Sequence, residues 1–178
     1  YAVTGDGPLM VMIHGFPDYW YTWRHQMKAL SSDYTVAALD TRGYNLSDQP
    51  SGVENYDLQI LINDVAAVIE AEDEESAIIV GHDWGGGIAW TFAAHKPEMT
   101  EQLIIMNLPH PRGLVRELAL FGQQHENSQY ARNFQQPNSH ENISAERLAT
   151  SLARGDAELQ SRYLEAFSRS SADSMMNY

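Results

Sequence analysis

The chain has 178 residues and no cysteine, and its 24 Asp plus Glu against 11 Lys plus Arg give a formal net charge of −13. The absence of Cys excludes a disulfide framework, a Cys-rich zinc site and a thiol nucleophile. The negative charge disfavours binding to nucleic acid or to an anionic membrane surface. The length suits one domain, or one domain with an inserted subdomain.

Short apolar runs alternate with helical patterns in the first part of the chain. The runs are continuous rather than alternating, which is typical of strands covered on both faces of a parallel sheet. They lie at 9–13, 35–39, 77–80 and 103–106, and residues 1–4 resemble the end of a further strand. Helical patterns occupy 20–30, 58–70 and 86–95. This alternation predicts an α/β fold with a mostly parallel, doubly wound sheet.

After Pro111 the sequence contains no strand-like apolar run. Spacing of the apolar residues predicts helices at 113–125, 144–153 and 156–168, with a loop at 134–138. Asn142 or Ser144 is the expected N-cap of the second helix. We therefore predict a core domain at 1–111 and an inserted helical cap at 112–178. The acidic stretch at 70–75 is interpreted as a solvated turn, because it has no His and no calcium-loop spacing.

The ends of the chain favour a fragment of a longer protein. The sequence starts at Tyr1 without Met, directly in a strand-like segment, and it ends at Tyr178 without the polar taper common at a terminus. A cytoplasmic location is our expectation, with a signal peptide left open because its place would precede residue 1.

A strand–turn–helix segment carries the strongest chemical signal. Gly81-His82-Asp83-Trp84-Gly85 follows one predicted strand and precedes a helix. It fits the pattern Gly-x-nucleophile-x-Gly, in which the central residue takes a strained backbone and its neighbours carry no bulk. Asp83 is thus the candidate nucleophile, and the helix N-terminus favours its ionised form. The simpler alternative is an Asp that only caps the helix. A dinucleotide-binding loop is disfavoured, because the glycines do not form Gly-x-Gly-x-x-Gly.

A second motif, His14-Gly15-Phe16-Pro17, directly follows the first apolar run. The loop in this place supplies one backbone N–H to an oxyanion hole, and the residue after the nucleophile supplies the other. The predicted donors are therefore the N–H groups of Phe16 and Trp84. We interpret His14 as a hydrogen-bonded anchor of the loop rather than as an acid or base.

Three segments together resemble the epoxide hydrolases of the α/β-hydrolase superfamily. They are the motif residues at 14–26, Leu39-Asp-Thr-Arg-Gly-Tyr-Asn-Leu-Ser-Asp48 and Gly81-His-Asp-Trp-Gly-Gly86. The resemblance covers nearly the whole chain in the right order and implies an α/β-hydrolase fold. Asn45 replaces the Gly that is usual in the second segment, and we expect it to take an unusual backbone angle that Asn tolerates.

The resemblance implies a ring-opening acid in the cap. Tyr130 begins a Tyr-x-x-x-Phe-Gln-x-Pro segment that reproduces the family's first catalytic tyrosine. The second tyrosine is expected directly after Tyr178. The water-activating His and its acidic partner follow the cap in this family, and His95, His125 and His140 do not fit that role.

Further expectations concern ligands and partners. The predicted substrate contacts are Phe16, Pro17, Trp84 and His110. For His110, which follows the last predicted strand after Asn107-Leu108-Pro109, packing at the surface is an equal alternative. No metal or organic cofactor is expected. The expected partners are a small apolar epoxide and water, with no nucleic acid and no membrane, and a homodimer is left open.

Two other functions compete with this one. Haloalkane dehalogenases use the same Asp, but they commonly place Asn after His-Gly, where this chain has Phe16. A non-catalytic relative that binds a small apolar ligand is the alternative from another class, and the intact Asp83 argues against it.

Overall fold

The computed structural model describes all 178 residues and contains one five-stranded sheet. Its strands are β1 (Ala2–Thr4), β2 (Leu9–Ile13), β3 (Thr35–Ala38), β4 (Ala77–His82) and β5 (Thr100–Met106). Their order across the sheet is β1-β3-β2-β4-β5. β1 is antiparallel to β3, and the other pairs are parallel. The predicted α/β class and the predicted strands are confirmed, with β5 beginning three residues earlier than expected.

Nine α-helices surround or extend this sheet. They are α1 (Arg24–Leu30), α2 (Leu58–Ala71), α3 (Trp84–His95), α4 (Pro111–Ala119), α5 (Gln123–Asn127), α6 (Gln129–Phe134), α7 (Ala145–Ala153), α8 (Ala157–Arg169) and α9 (Ala172–Met175). Short 3-10 turns lie at Trp20–Trp23, Val53–Tyr56, Pro97–Met99 and Ser139–Asn142. The second and third predicted cap helices are confirmed as α7 and α8, and Ser144 is the N-cap of α7.

Two helix predictions need correction. The helix expected at 20–30 begins as a 3-10 turn and becomes α-helical only at Arg24. The single helix expected at 113–125 is two helices, because Phe121 takes a left-handed backbone with φ 51°. A bulky residue in that conformation ends a right-handed helix and turns the chain.

The core lies on both faces of the sheet. Successive strand residues point to opposite sides, so Val11 and Ile79 pack under α2 and α3, while Met12 and Val80 pack with α1. β2 is buried along its whole length. Burial on both faces explains why the apolar runs are continuous in the sequence.

The helices after Pro111 rest on the carboxyl ends of the strands. Tyr19, in the loop after β2, is buried among α7 and α8 beside Tyr163 and Phe167. In the loop after β3, the Asn45 N–H donates to Ser170 Oγ at 2.8 Å. The cap segment thus contacts the loops that follow β2 and β3. The division of the chain at residue 111 remains a prediction.

His14 ties these two loops together from inside the protein. Its side chain is buried, and its Nε2 accepts a hydrogen bond from the Thr41 N–H at 3.0 Å. Nδ1 therefore carries the proton and donates to the Gly15 carbonyl at 2.9 Å. Burial lowers the pKa of His14, because it disfavours the charged ring. The histidine is a neutral anchor.

This burial makes stability depend on pH in a defined direction. In the unfolded chain the imidazole of His14 has an ordinary pKa of about 6.5. Below that pH the unfolded chain binds a proton at His14 that the folded protein does not bind. The free energy of unfolding therefore falls as pH falls, by up to about 1.4 kcal/mol per pH unit. We expect urea titrations at pH 7.5 and 5.5 to show this loss in the wild type. His14→Gln should flatten the difference, whereas His95→Gln, at an exposed position, should leave it unchanged. An unaltered slope in His14→Gln would contradict the assignment.

Candidate active site

Asp83 lies at the sharp turn between β4 and α3. Its backbone has φ 54° and ψ −127°, a conformation that residues with a side chain rarely adopt. The flanking glycines are sterically required. A Cβ on Gly81 would lie 2.4 Å from the Gly85 carbonyl oxygen, and one on Gly85 would lie 2.3 Å from the Ile13 carbonyl oxygen. The turn projects a half-buried carboxylate from the carboxyl edge of the sheet.

The loop after β2 places a backbone donor on this carboxylate. The Phe16 N–H donates to Asp83 Oδ1 at 3.0 Å. The approach is close, because a Cβ on Gly15 would lie 2.3 Å from the same oxygen. The Trp84 N–H, the second predicted donor, makes no hydrogen bond to the carboxylate. Of the two predicted oxyanion donors, only the Phe16 N–H makes a hydrogen bond here. Its acceptor is an oxygen of Asp83 itself.

No cation neutralises Asp83. The five ion pairs of the structure lie elsewhere. None of the seven histidines is hydrogen-bonded to Asp83. The contacts of this carboxylate thus include a neutral donor but no base that could activate water.

An apolar cavity opens beside Phe16 and Trp84. Its other walls come from the cap segment and the end of the chain: Ala131, Phe134, Gln135, Met175, Met176 and Tyr178. The Phe16 and Phe134 rings are 5.3 Å apart. The lining is predominantly apolar, and it is connected to the Asp83 carboxylate through Phe16, whose N–H donates to that carboxylate.

Tyr178 forms a half-buried wall of this cavity. Its hydroxyl donates to the Arg42 carbonyl, and its ring packs against Tyr44 and Tyr56. Burial raises the pKa of Tyr178 above its ordinary value. The hydroxyl is therefore engaged in structure, consistent with leaving Tyr178 without a catalytic role.

Tyr130 lies on α6, one turn before Phe134. The two rings are 5.9 Å apart, and Tyr130 is 58% exposed with no hydrogen bond from its hydroxyl. It adjoins the cavity through Phe134 but does not line it. Its role as the ring-opening acid remains a prediction.

Two of the four predicted substrate contacts are not brought to the cavity. His110 is the N-cap of α4, where its Nδ1 accepts from the Arg112 N–H at 3.2 Å and its ring packs on Trp90. Pro17 follows Phe16 through a cis peptide bond and is half-buried, but it does not line the cavity. Phe16 and Trp84 are the two that do.

A larger groove lies between α2 and the loop after β3. It contains the Arg42–Asp64 ion pair, at 2.7 Å, and Asp40. Asp40 also accepts a backbone N–H, that of Trp20 at 3.0 Å, but only Asp83 lies at a strained strand–helix turn, so we place the candidate active site at Asp83. No group of three or more His, Asp or Glu side chains is arranged to hold a metal ion. None of the helices has the length and apolar character needed to span a bilayer.

Sequence reasoning missed several residues of this site. Asn107, directly after β5, accepts a hydrogen bond from the Asp83 N–H through its Oδ1 at 3.1 Å. Met175 and Met176 line the cavity although they are distant from Asp83 in sequence. For Asn107 a signal existed, since it ends the strand adjacent to the nucleophile strand.

Comparison with curated proteins yields relatives that are longer than this chain. The AB hydrolase superfamily protein YfhM of Bacillus subtilis is 45% identical over 133 residues, which cover 74% of this chain and 46% of that protein. Epoxide hydrolase 1 of Caenorhabditis elegans is 50% identical over 113 residues, covering 62% of this chain and 28% of that protein. The chain thus spans less than half the length of either curated relative.

Comparison of structures extends the similarity to almost the whole chain. The epoxide hydrolase of Bacillus megaterium, solved with an inhibitor, superposes with a TM-score of 0.92 and 37% identity, covering 99% of this chain and 66% of that one. The epoxide hydrolase VrEH1 of Vigna radiata gives a TM-score of 0.82 at 27% identity, covering 99% and 65%. The family model described as alpha/beta hydrolase fold matches residues 8–178. With the strained turn at Asp83 and the donor loop at Phe16, this match shows that the chain belongs to the α/β-hydrolase fold family.

Proposed function

We propose that this chain carries the nucleophile and the oxyanion donor of an epoxide hydrolase. The observation that carries the proposal is an Asp at the nucleophile turn whose own Oδ1 accepts the Phe16 N–H at 3.0 Å. Relatives named epoxide hydrolase, among them the nematode protein and the Bacillus megaterium enzyme, support it.

The carboxylate determines which reaction is chemically sensible. An epoxide carbon is saturated, so a serine attacking it would form an ether that nothing nearby could hydrolyse. An Asp83 oxygen attacking the ring carbon forms an ester as the ring C–O bond breaks, and the leaving alkoxide takes a proton from the Tyr130 hydroxyl. Water then attacks the carbonyl carbon of that ester and releases the diol.

The oxyanion donor serves the second step. When water attacks the ester, negative charge develops on the carboxyl oxygen of Asp83 that did not bond to substrate. Phe16 N–H is already at hydrogen-bond distance from one such oxygen, which is the preorganisation that stabilises this charge. The family resemblance assigns activation of the water to a His that follows the cap in sequence.

A haloalkane dehalogenase is the nearest rival, since it needs the same attack on saturated carbon. A departing halide needs side-chain N–H donors beside the carboxylate. Here Phe16, at the position where dehalogenases commonly place Asn, has no side-chain donor, which leaves the side chains of Trp84 and Gln135 as the N–H donors of the lining. The missing donor at position 16 favours an epoxide, whose alkoxide can be protonated by a phenol such as that of Tyr130.

Replacing the nucleophile should abolish the reaction while the fold persists. With protein expressed from its complete reading frame and styrene oxide as substrate, we expect an Asp83-linked ester by peptide mass spectrometry and diol by chromatography. Asp83→Ala should give neither, and Asp83→Ser should give no diol. Asp73→Ala, in an exposed turn, is the matched control. Substantial diol formation by a folded Asp83→Ala would refute the assignment, and faster turnover of 1-bromobutane than of styrene oxide would favour the dehalogenase.

Removing the cap phenol should slow ring opening. A phenol with a pKa of about 10 can protonate the developing alkoxide. We expect Tyr130→Phe to reduce the rate of ester formation by about 10- to 1000-fold, judged from the loss of single donors in other enzymes. A second donor would explain residual activity.

Single-turnover measurements separate the two steps for this variant. Ester hydrolysis should change much less than ester formation, because the ring is already open. Tyr34→Phe is the control for the loss of a tyrosine hydroxyl. Tyr34 directly precedes β3, so it lies at the amino edge of the parallel strands, opposite the edge that carries Asp83. A normal rate of ester formation in Tyr130→Phe would show that Tyr130 is not the acid.

A further inference from the structure

The side chain of Asn107 holds the backbone of the candidate nucleophile. His82 and Met106 are paired in the parallel strands β4 and β5, so Asp83 and Asn107 are the next residues along each strand. The Asp83 N–H donates to Asn107 Oδ1 at 3.1 Å. Its alternative acceptor, the Met106 carbonyl, is farther away at 3.4 Å. The amide side chain is therefore the closer acceptor.

The backbone of Asp83 needs such support. With φ at 54° the residue is strained, and a strained conformation persists only where surrounding contacts hold it. On the carboxyl side, the Asp83 carbonyl accepts from the Gly86 N–H at 2.8 Å. On the amino side, Asn107 fixes the N–H. Both peptide planes that flank the Asp83 Cα are thus held, and together they set the direction of its carboxylate.

Asparagine is suited to this task for three reasons. Asn107 itself has φ 55°, a conformation that Asn tolerates better than most residues. Its side chain is short and offers a neutral acceptor. An Asp in its place would offer an acceptor too, but would set a second carboxylate beside Asp83.

The contact is not part of a wider structural network. Asn107 is exposed, and its side chain makes no hydrogen bond other than the one to Asp83. Its loss would therefore leave the core intact and act mainly on Asp83.

We propose that Asn107 is a positioning residue, which orients the Asp83 carboxylate for attack on the saturated carbon through the Asp83 N–H. The inference rests on the proposed nucleophilic role of Asp83. It adds that the rate of ester formation depends on a residue that touches neither substrate nor the reacting atoms.

Asn107→Gly tests this directly, because glycine accepts the positive φ but removes the acceptor. With styrene oxide in single-turnover mode, we expect the maximal rate of ester formation to fall by about 10- to 100-fold and the half-saturating concentration to stay within about threefold, since small misplacement of a reacting group costs rate rather than binding. The melting temperature should stay close to that of the wild type. Asp73→Gly, which removes a side chain at another exposed residue with φ 56°, should react at the wild-type rate.

Asn107→Asp provides the conservative rescue. It restores the acceptor, and we expect most of the rate to return at pH 9. The rescue should stay incomplete at pH 7, because the added carboxylate repels that of Asp83.

The outcomes separate this inference from the proposed function. Wild-type ester formation together with a normal rate in Asn107→Gly overturns the positioning role alone. A slow Asn107→Gly that Asn107→Asp does not rescue at any pH also overturns it, since the defect would then be one of general structure. A wild-type protein that forms no ester at Asp83 overturns both proposals.

Discussion

The close approach of two loops at the carboxyl edge of the sheet is the constraint on which the candidate site depends. β2 and β4 are neighbours and parallel, so the chain leaves both strands at the same edge. The loop after β2 and the turn after β4 then meet with no room for side chains at Gly15 and Gly85. Only at this separation can the Phe16 N–H reach an oxygen of Asp83. Glycine at these positions is thus a condition for the chemistry, because a methyl group would push donor and acceptor apart.

The electrostatics of the site follow from neutral groups rather than from charges. The buried His14 is kept uncharged by desolvation, and the Asp83 carboxylate meets a backbone N–H instead of a cation. A carboxylate paired with Lys or Arg would be a weaker nucleophile, because the pair would have to be broken or distorted for attack. With a net charge of −13, the chain also repels anionic substrates, which agrees with our proposal of a neutral epoxide as the ligand.

The sequence predicts those parts of the structure that local sterics dictate. Strand β2 is found at its predicted bounds, because a strand buried on both faces must be apolar throughout. The unusual backbone angle expected at Asn45 from the resemblance, in which a Gly is usual at this position, is also confirmed, with φ at 45°. Helix α6 was not expected, because an exposed helix of six residues has no apolar stripe to reveal it. The break at Phe121 was missed for a related reason: a bulky residue gives no signal for a left-handed turn.

The candidate site shows the same division. The turn at Asp83 and the loop at Phe16 are each formed by a contiguous motif, so adjacent residues determine their geometry and the sequence predicts both. Met175 and Met176 reach the site through tertiary structure, which no local pattern predicts. For Asn107 the one available signal was its place directly after β5, the neighbour of the nucleophile strand. His110 shows the reverse error, since proximity in sequence to β5 suggested a substrate contact while its ring is used to cap α4 and pack on Trp90.

The two halves of the chain contribute different properties to the cavity. The sheet edge supplies the carboxylate and its donor, held by backbone geometry and by His14. The helices after Pro111 supply the apolar walls, and they are attached to the loop after β2 through Tyr19 and to the loop after β3 through Ser170. His14 joins these same two loops by hydrogen bonds. The cap residues that line the cavity are therefore held in a fixed position relative to Asp83. The side chains at Ala131 and Phe134 can therefore vary in size and change which molecule fits the cavity, while the distance between Phe16 N–H and Asp83, set by glycines within the core, stays the same.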